Sequence, residues 1–274
     1  MNRILLSISL FAFTILNAAE QETPSPNPTD IRVVAVESTP EGDEVETKIV
    51  HPRNNDMERS NPIDVLIRLD GYPLRTYSQF PRAKEVQNYN KTGQSLHIFI
   101  DNEPYFPQNE AIVNALQDQD IYYEQVLDFK IPFNLKPGQH LIRVFPARSF
   151  GESLKGDGCF AMRLFYVGSQ EPKLDFNPDG PFLTFNQPQG EMTYNKSKPI
   201  LLDFYITNTQ LSRDGYKVRL TIDDTVQRVL TRWSPYYIYG LKQGKHSLKL
   251  ELLDESNSVV PGMTNSVTRT VVLK

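Results

Sequence analysis

Apolar and polar residues alternate with a period of two through much of this chain. Ile63, Val65, Ile67 and Leu69 share one face of Ile63–Leu69, and Leu96, Ile98 and Ile100 share one face of Ser95–Ile100. In His140–Val144, His140, Ile142 and Val144 alternate with Leu141 and Arg143. A later set is cleaner: Val218, Leu220 and Ile222 on one strand, and His246, Leu248, Leu250 and Leu252 on another. Lys217, Arg219, Lys249 and Glu251 lie between them, on the face expected to meet solvent. Side chains of an extended chain point to opposite faces in turn, so these are half-buried strands. Several of them per hundred residues, separated by polar turns, predict an all-β antiparallel sandwich.

The pattern occurs twice because the chain is duplicated. Leu135–Val167 recurs without a gap at Leu241–Leu273, an offset of 106 residues. Leu135/Leu241, Lys136/Lys242, Gly138/Gly244, His140/His246, Gly156/Gly262 and Arg163/Arg269 are identical pairs. Upstream, Asp101 answers Asp223, and Ile49–Leu69 answers Phe185–Ile206. A period near a hundred residues describes two tandem domains rather than a solenoid. With a single cysteine, Cys159, there is no Cys–Trp–Cys framework, so the modules are immunoglobulin-like in architecture only.

The expected organisation runs as follows. Met1–Ala19 reads as an export signal: Arg3 is the basic start, Ile4–Leu16 the apolar run, and Ala18-Ala19 the small-residue end. Glu20–Asp30 is a Pro-rich tether. Ile31–Gln170 forms module one, which the strand-like Ile31–Glu37 is expected to join. Glu171–Pro181 is the linker, and Phe182–Lys274 is module two. Module one carries two insertions relative to module two, one between Pro62 and Asp101 and one between Asp101 and Gly138. In the second, Ile112, Ala115 and Leu116 have helical spacing, which predicts a short helix or lid within Pro107–Asp120.

Composition narrows the function. A net charge of −4, with both signs mixed along the chain, argues against a nucleic-acid partner. No segment after the leader is long and apolar enough to span a membrane. An exported chain with one cysteine fits a bacterial periplasm better than a eukaryotic secretory route. Local templates for nucleophilic, phosphate-binding or zinc chemistry are lacking, and the four histidines are dispersed, so no catalytic, metal or cofactor site is expected. His140 and His246 occupy one position in both copies, where each is expected to cap the core rim and bond a turn carbonyl.

What the copies share is architectural, and what is polar and confined to one copy is a candidate for function. Module one has two such runs: the turn holding Asn102, Glu103 and Tyr105, and the loop Phe145–Lys155 with Arg148, Glu152 and Lys155. An arginine and a carboxylate among aromatics can recognise an anion or a sugar by bidentate bonds and stacking. The alternative is an Arg148–Glu152 ion pair that pins a long loop. In module two, Trp233, Tyr236 and Tyr237 offer either an aromatic platform for a glycan or a strand packed into the core.

The segment from His97 through Tyr105 to Val167 resembles a family of uncharacterised exported bacterial proteins that carry a D-N-x-P-Y turn and a similar G-x-H-x-L-R segment. Here Ala147 and Phe150 stand where that pattern has Ser and Trp. The resemblance implies an immunoglobulin-like sandwich and export, and no activity. The expected function is therefore a non-enzymatic binding protein of the cell envelope, whose partner is an envelope protein or a small anionic or glycan ligand. The alternatives are a polysaccharide-binding accessory protein using the module-two aromatics, and a hydrolase using Glu103, Glu152 or His97.

Overall fold

The computed structural model describes residues 31–41, 44–87, 92–114 and 124–274. The leader and tether read at Met1–Asp30 lie outside the described residues. Strand β1 (Arg32–Ala35) comes first. Module one follows with β2 (Glu46–His51), β3 (Met57–Glu58), β4 (Asp64–Asp70), helix α1 (Arg82–Glu85), β5 (Ser95–Ile100), β6 (Phe106–Gln108), β7 (Ile112–Asn114), β8 (Glu124–Lys130), β9 (Gly138–Ala147) and β10 (Ala161–Val167). Module two holds β11 (Phe182–Gln187), β12 (Gly190–Met192), β13 (Ile200–Thr207), β14 (Lys217–Ile222), β15 (Val226–Leu230), β16 (Tyr236–Tyr239), β17 (Gly244–Leu253) and β18 (Ser266–Leu273).

Each module is a sandwich of a four-stranded and a five-stranded sheet. In module one the orders are β2-β4-β8-β7 and β3-β10-β9-β5-β6; in module two they are β11-β13-β16-β1 and β12-β18-β17-β14-β15. All pairings are antiparallel except β3 with β10 and β12 with β18. This is the tandem immunoglobulin-like architecture that the alternation predicts. Ile63, Val65, Ile67 and Leu69 meet Leu96, Ile98, Ile100, Ile142 and Val144 in one core, and Val218, Leu220, Ile222, Leu248, Leu250 and Leu252 fill the other. Lys217 and Glu251 depart from the expected solvent face, since both are buried. Glu251 is held by Arg219 at 2.8 Å and Lys249 at 2.7 Å.

The duplicated Asp–His pair is a clasp at the same rim of each sandwich. His140 Nδ1 lies 2.8 Å from Asp101 Oδ2 and its Nε2 lies 2.8 Å from the Lys136 carbonyl. His246 repeats this with Asp223 at 2.7 Å and the Lys242 carbonyl at 2.8 Å. The backbone amides of Leu141 and Ser247 donate to the other carboxylate oxygen of the same aspartates. The histidines serve the fold, as their shared position implied.

Two expectations are corrected. Strand β1 pairs with β16, Arg32 opposite Tyr239 and Ala35 opposite Tyr236, so Ile31–Glu37 joins module two and not module one. Ile31, Val33 and Ala35 pack on the module-two core. The cause is the insertions. In module one, β7 from the second insertion takes the edge beside β8. The short connection between β15 and β16 leaves module two without a strand of its own for that edge, and the chain's first strand takes it. Over its described residues, the expected helix in Pro107–Asp120 is replaced by strand and loop. Its described part contains Pro107 in β6 and Ile112 in β7, and its residues 115–120 lie outside the described residues. The helix among the described residues is α1, in the first insertion, built from the good helix formers Arg82, Ala83, Lys84 and Glu85.

Candidate functional site

Half-buried strands have one polar face, yet β5, β9, β11 and β13 are buried almost throughout. One face of each lies in its own core and the other lies against the opposite module. His97, Phe99, Arg143 and Phe145 of module one thereby meet Thr184, Asn186, Asp203 and Tyr205 of module two. Phe145 and Tyr205 stack at 5.0 Å, and Arg143 donates to Thr184 Oγ1 at 2.8 Å.

The centre of this seam is polar. Asp203 has no exposed surface. Its Oδ1 takes the Lys155 ammonium at 2.7 Å, and its Oδ2 accepts from the Ser153 hydroxyl at 2.7 Å and from Asn186 Nδ2 at 2.6 Å. Asn186 Nδ2 also donates to the Gly151 carbonyl at 2.8 Å, which leaves Asn186 Oδ1 to accept from His97 Nδ1 at 2.7 Å. That fixes the His97 tautomer with its proton on Nδ1. Burial lowers the His97 pKa to about 4, against the opposing pull of Asn186 and Asp203, so the imidazole is neutral. Its ring stacks on Tyr105 at 3.6 Å.

Of the candidate loop residues of module one, Lys155 is committed to this seam, and Arg148 and Glu152 are held by module one and the segment before it. Glu152 is 1% exposed. Its carboxylate accepts from the Thr39 amide at 2.7 Å and pairs with Arg82 of α1. Burial works against the Arg82 charge, but Glu152 outweighs it and holds the guanidinium above its ordinary pKa. Arg148 donates to the Pro40 carbonyl at 2.6 Å and lies over the Phe80 ring at 4.7 Å. The side chains of Arg148 and Glu152 therefore do not pair; they meet only through the Arg148 amide and the Glu152 carbonyl, at 2.8 Å. Tyr105 receives Gln187 at its hydroxyl and Gln189 at its backbone. Asn102 reaches the Met263 carbonyl, and the Glu103 carbonyl accepts from Arg269 at 3.2 Å, while the Glu103 residue itself is exposed.

The first insertion straps the seam from one side. Phe80, Ala83 and Val86 pack with Phe150 on Leu201 and Tyr237. The Gln87 amide donates to the Pro199 carbonyl at 3.0 Å. Of the module-two aromatics, Tyr236 lies in the core with its hydroxyl on the Arg232 carbonyl at 3.0 Å. Tyr237 faces the seam and donates to Glu85 at 2.7 Å. Cys159 is buried, which pushes its thiol up to about 12 and keeps it protonated.

What stays open is a groove along the seam's edge. Phe160, Tyr205 and Trp233 form its aromatic floor, and Lys155, Asp157 and Gln210 are among its polar rim residues. Its volume is about 560 Å³, and a second hollow of about 550 Å³ continues from it past Phe160 and Thr207. Trp233 stands edge-on to Tyr205 at 4.9 Å, its indole N–H donating to the Phe204 carbonyl at 3.1 Å. Of the nine candidates, Lys155 and Trp233 line this groove. Sequence reasoning missed Phe160, Asn186, Asp203 and Tyr205, and it named His97 only as a hydrolase candidate. The available signal was the lack of a polar face in SLHIFI and ILLDFYI.

No family model matches the chain, and no curated protein sequence does. Among solved structures, the chain is similar to fibronectin(III)-like modules of CbhA from Clostridium thermocellum (9% identity, 83% of this chain and 94% of that one, TM-score 0.28). It is also similar to dimeric latent PorU from Porphyromonas gingivalis (13% identity, 93% of this chain and 21% of that one, TM-score 0.27) and to neural ectodermal development factor IMP-L2 (9% identity, 84% and 94%, TM-score 0.26). Overlap this shallow carries no functional argument, and the architecture rests on the strand order itself.

Proposed function

We propose that the chain is an exported, non-enzymatic binding protein of the bacterial cell envelope that takes a glycan strand in the groove beside the seam. The observation behind this reading is a groove whose floor is half-buried Phe160 and Trp233, packed on buried Tyr205, between polar rims. Flat aromatic faces cover the apolar faces of sugar rings, and rim amides and charges can bond the hydroxyls. A non-enzymatic role is supported by the burial of Glu152 and His97, two of the three groups a hydrolase reading would use. Export is supported by the Met1–Ala19 leader pattern.

Trp233 is the only tryptophan, so its fluorescence reports on the groove directly. Titration with peptidoglycan and polysaccharide fragments should shift its emission saturably. Gln210→Ala, at the exposed rim, should weaken binding without changing stability, and Trp233→Ala should abolish it in pull-down. A flat titration across the panel would remove the glycan and leave an envelope protein as the partner, to be sought by crosslinking.

A further inference from the structure

We propose that module one carries a site for a divalent ion of the zinc class, formed by His51, Asp56 and Glu58. One nitrogen or oxygen donor from each of these residues lies within 4.8 Å of the others, and His51 Nε2 is 3.4 Å from Glu58 Oε1. A tetrahedral ion with ligands at about 2.0–2.2 Å holds its donors about 3.4 Å apart. The His51–Glu58 edge is thus already at coordination distance, and an Asp56 oxygen within 4.8 Å of both stands at the third corner.

The backbone that presents these groups is fixed without any ion. His51 ends β2 just after a register shift at Ile49/His51, and Glu58 lies in β3, which runs parallel to β10. The turn between them is tied to β10 and the residue after it, at Asn54, Asp56 and Glu58. The Tyr166 amide donates to the Asp56 carbonyl at 2.8 Å, and Gly168 donates to the Glu58 carbonyl at 3.0 Å. Leu164 donates to Asn54 Oδ1 at 3.1 Å. Asp56 Oδ2 accepts from the Arg53 amide at 3.0 Å, so its other oxygen is available.

Glu58 is 9% exposed, and among the described residues its carboxylate faces the His51 ring with no lysine or arginine in ion-pair reach. A buried carboxylate without a cation is costly, and a metal ion removes that cost. Module two supplies an internal control. Its β11 has the same register shift, at Phe185/Gln187, followed by Pro188 as His51 is followed by Pro52. The pairing of Met57 with Tyr166 and of Glu191 with Val272, 106 positions on, matches Glu58 to Met192. In those slots module two uses Gln187, whose amide donates to Tyr105 across the seam, and Met192, an apolar packer, neither of them an ion ligand. Where module one has His51 and Glu58, it has placed two ligands in the same slots, on a turn two residues longer that adds Asp56. One imidazole with two carboxylates suits a borderline first-row ion and leaves a fourth position for water.

The test uses the mature chain stripped of metal and titrated with Zn²⁺ by calorimetry and with Co²⁺ by visible absorption. One equivalent should bind, with a Co²⁺ ligand-field band, and saturating Zn²⁺ should raise the melting temperature. The decisive variant, His51→Gln with Glu58→Met, installs the side chains that module two carries, so it should keep the metal-free melting temperature. It should bind no ion. Asp56→Asn should weaken binding by about tenfold or more. Absence of binding by the unaltered chain, or one-equivalent binding that persists in the double variant, would overturn the assignment.

Discussion

Lys155 of module one places its ammonium 2.7 Å from Asp203 of module two, and neither side chain has a tenth of its surface in water. Two charges are thus shut inside a seam that joins two sandwiches. Removing one partner leaves the other charged and unsolvated, which is the costly case for buried pairs. Lys155→Ala should therefore destabilise the protein by about 3–5 kcal/mol. Lys155→Met with Asp203→Leu should recover much of that loss. Denaturant unfolding measures both, and equal losses in the single and double variants would refute the coupling.

Because β1 fills the edge beside β16, the two modules should respond differently to damage in the first strand. Val33 packs on the module-two core, so Val33→Asn puts an unpaired amide there at a cost of about 1–3 kcal/mol. Hydrogen exchange should accelerate in Tyr236–Tyr239 and remain slow in β4 and β8. Faster exchange confined to module one would assign β1 to the wrong sandwich.

The Phe150-Gly151 turn lies flush against module two. Gly151 has φ +89°, and a Cβ there would come within 2.6 Å of the Gln187 side chain, which is itself engaged with Tyr105. Gly151→Ala should cost about 1–3 kcal/mol through backbone strain and the displaced amide. Thermal unfolding monitored at Trp233 would detect it, and an unchanged melting temperature would show that the seam tolerates a gap.

Two histidines should give stability opposite pH dependences. His97 is depressed to about 4, so the folded state binds fewer protons than the unfolded one between about 4 and 6.5. Its contribution is complete above 6.5 and drains as pH falls towards 4. Burial also acts to lower His140, but the Asp101 carboxylate and the Lys136 carbonyl outweigh it, and its pKa is raised. Its contribution is complete below the unfolded value and is lost as pH rises through the folded one. Proton resonances of His97 should thus stay at neutral shifts down to about pH 5. Asp101→Asn should cost more stability at pH 5 than at pH 8, and an equal cost at both would deny the charged clasp.

The sequence by itself determined the modules. Period-two alternation depends only on which face of a strand meets a core, so Ile63–Leu69 and Val218–Ile222 could be read one strand at a time. Duplication likewise marked His140 and His246 as serving the fold, since a group repeated in both copies serves what the copies share, while their bonds to Asp101 and Asp223 appear only in the structure. The polar loop with Arg148, Glu152 and Lys155 was legible as exceeding the needs of one sandwich. Its use was not, because the groups that satisfy it, Thr39, Arg82 and Asp203, are about 50 to over 100 residues distant in the chain. The same holds for β1, whose alternation fixes an inner face but not which edge it closes. Edge pairing is decided by backbone groups left open elsewhere, and only the tertiary structure shows that module two, lacking a strand like β7, had such an edge to offer.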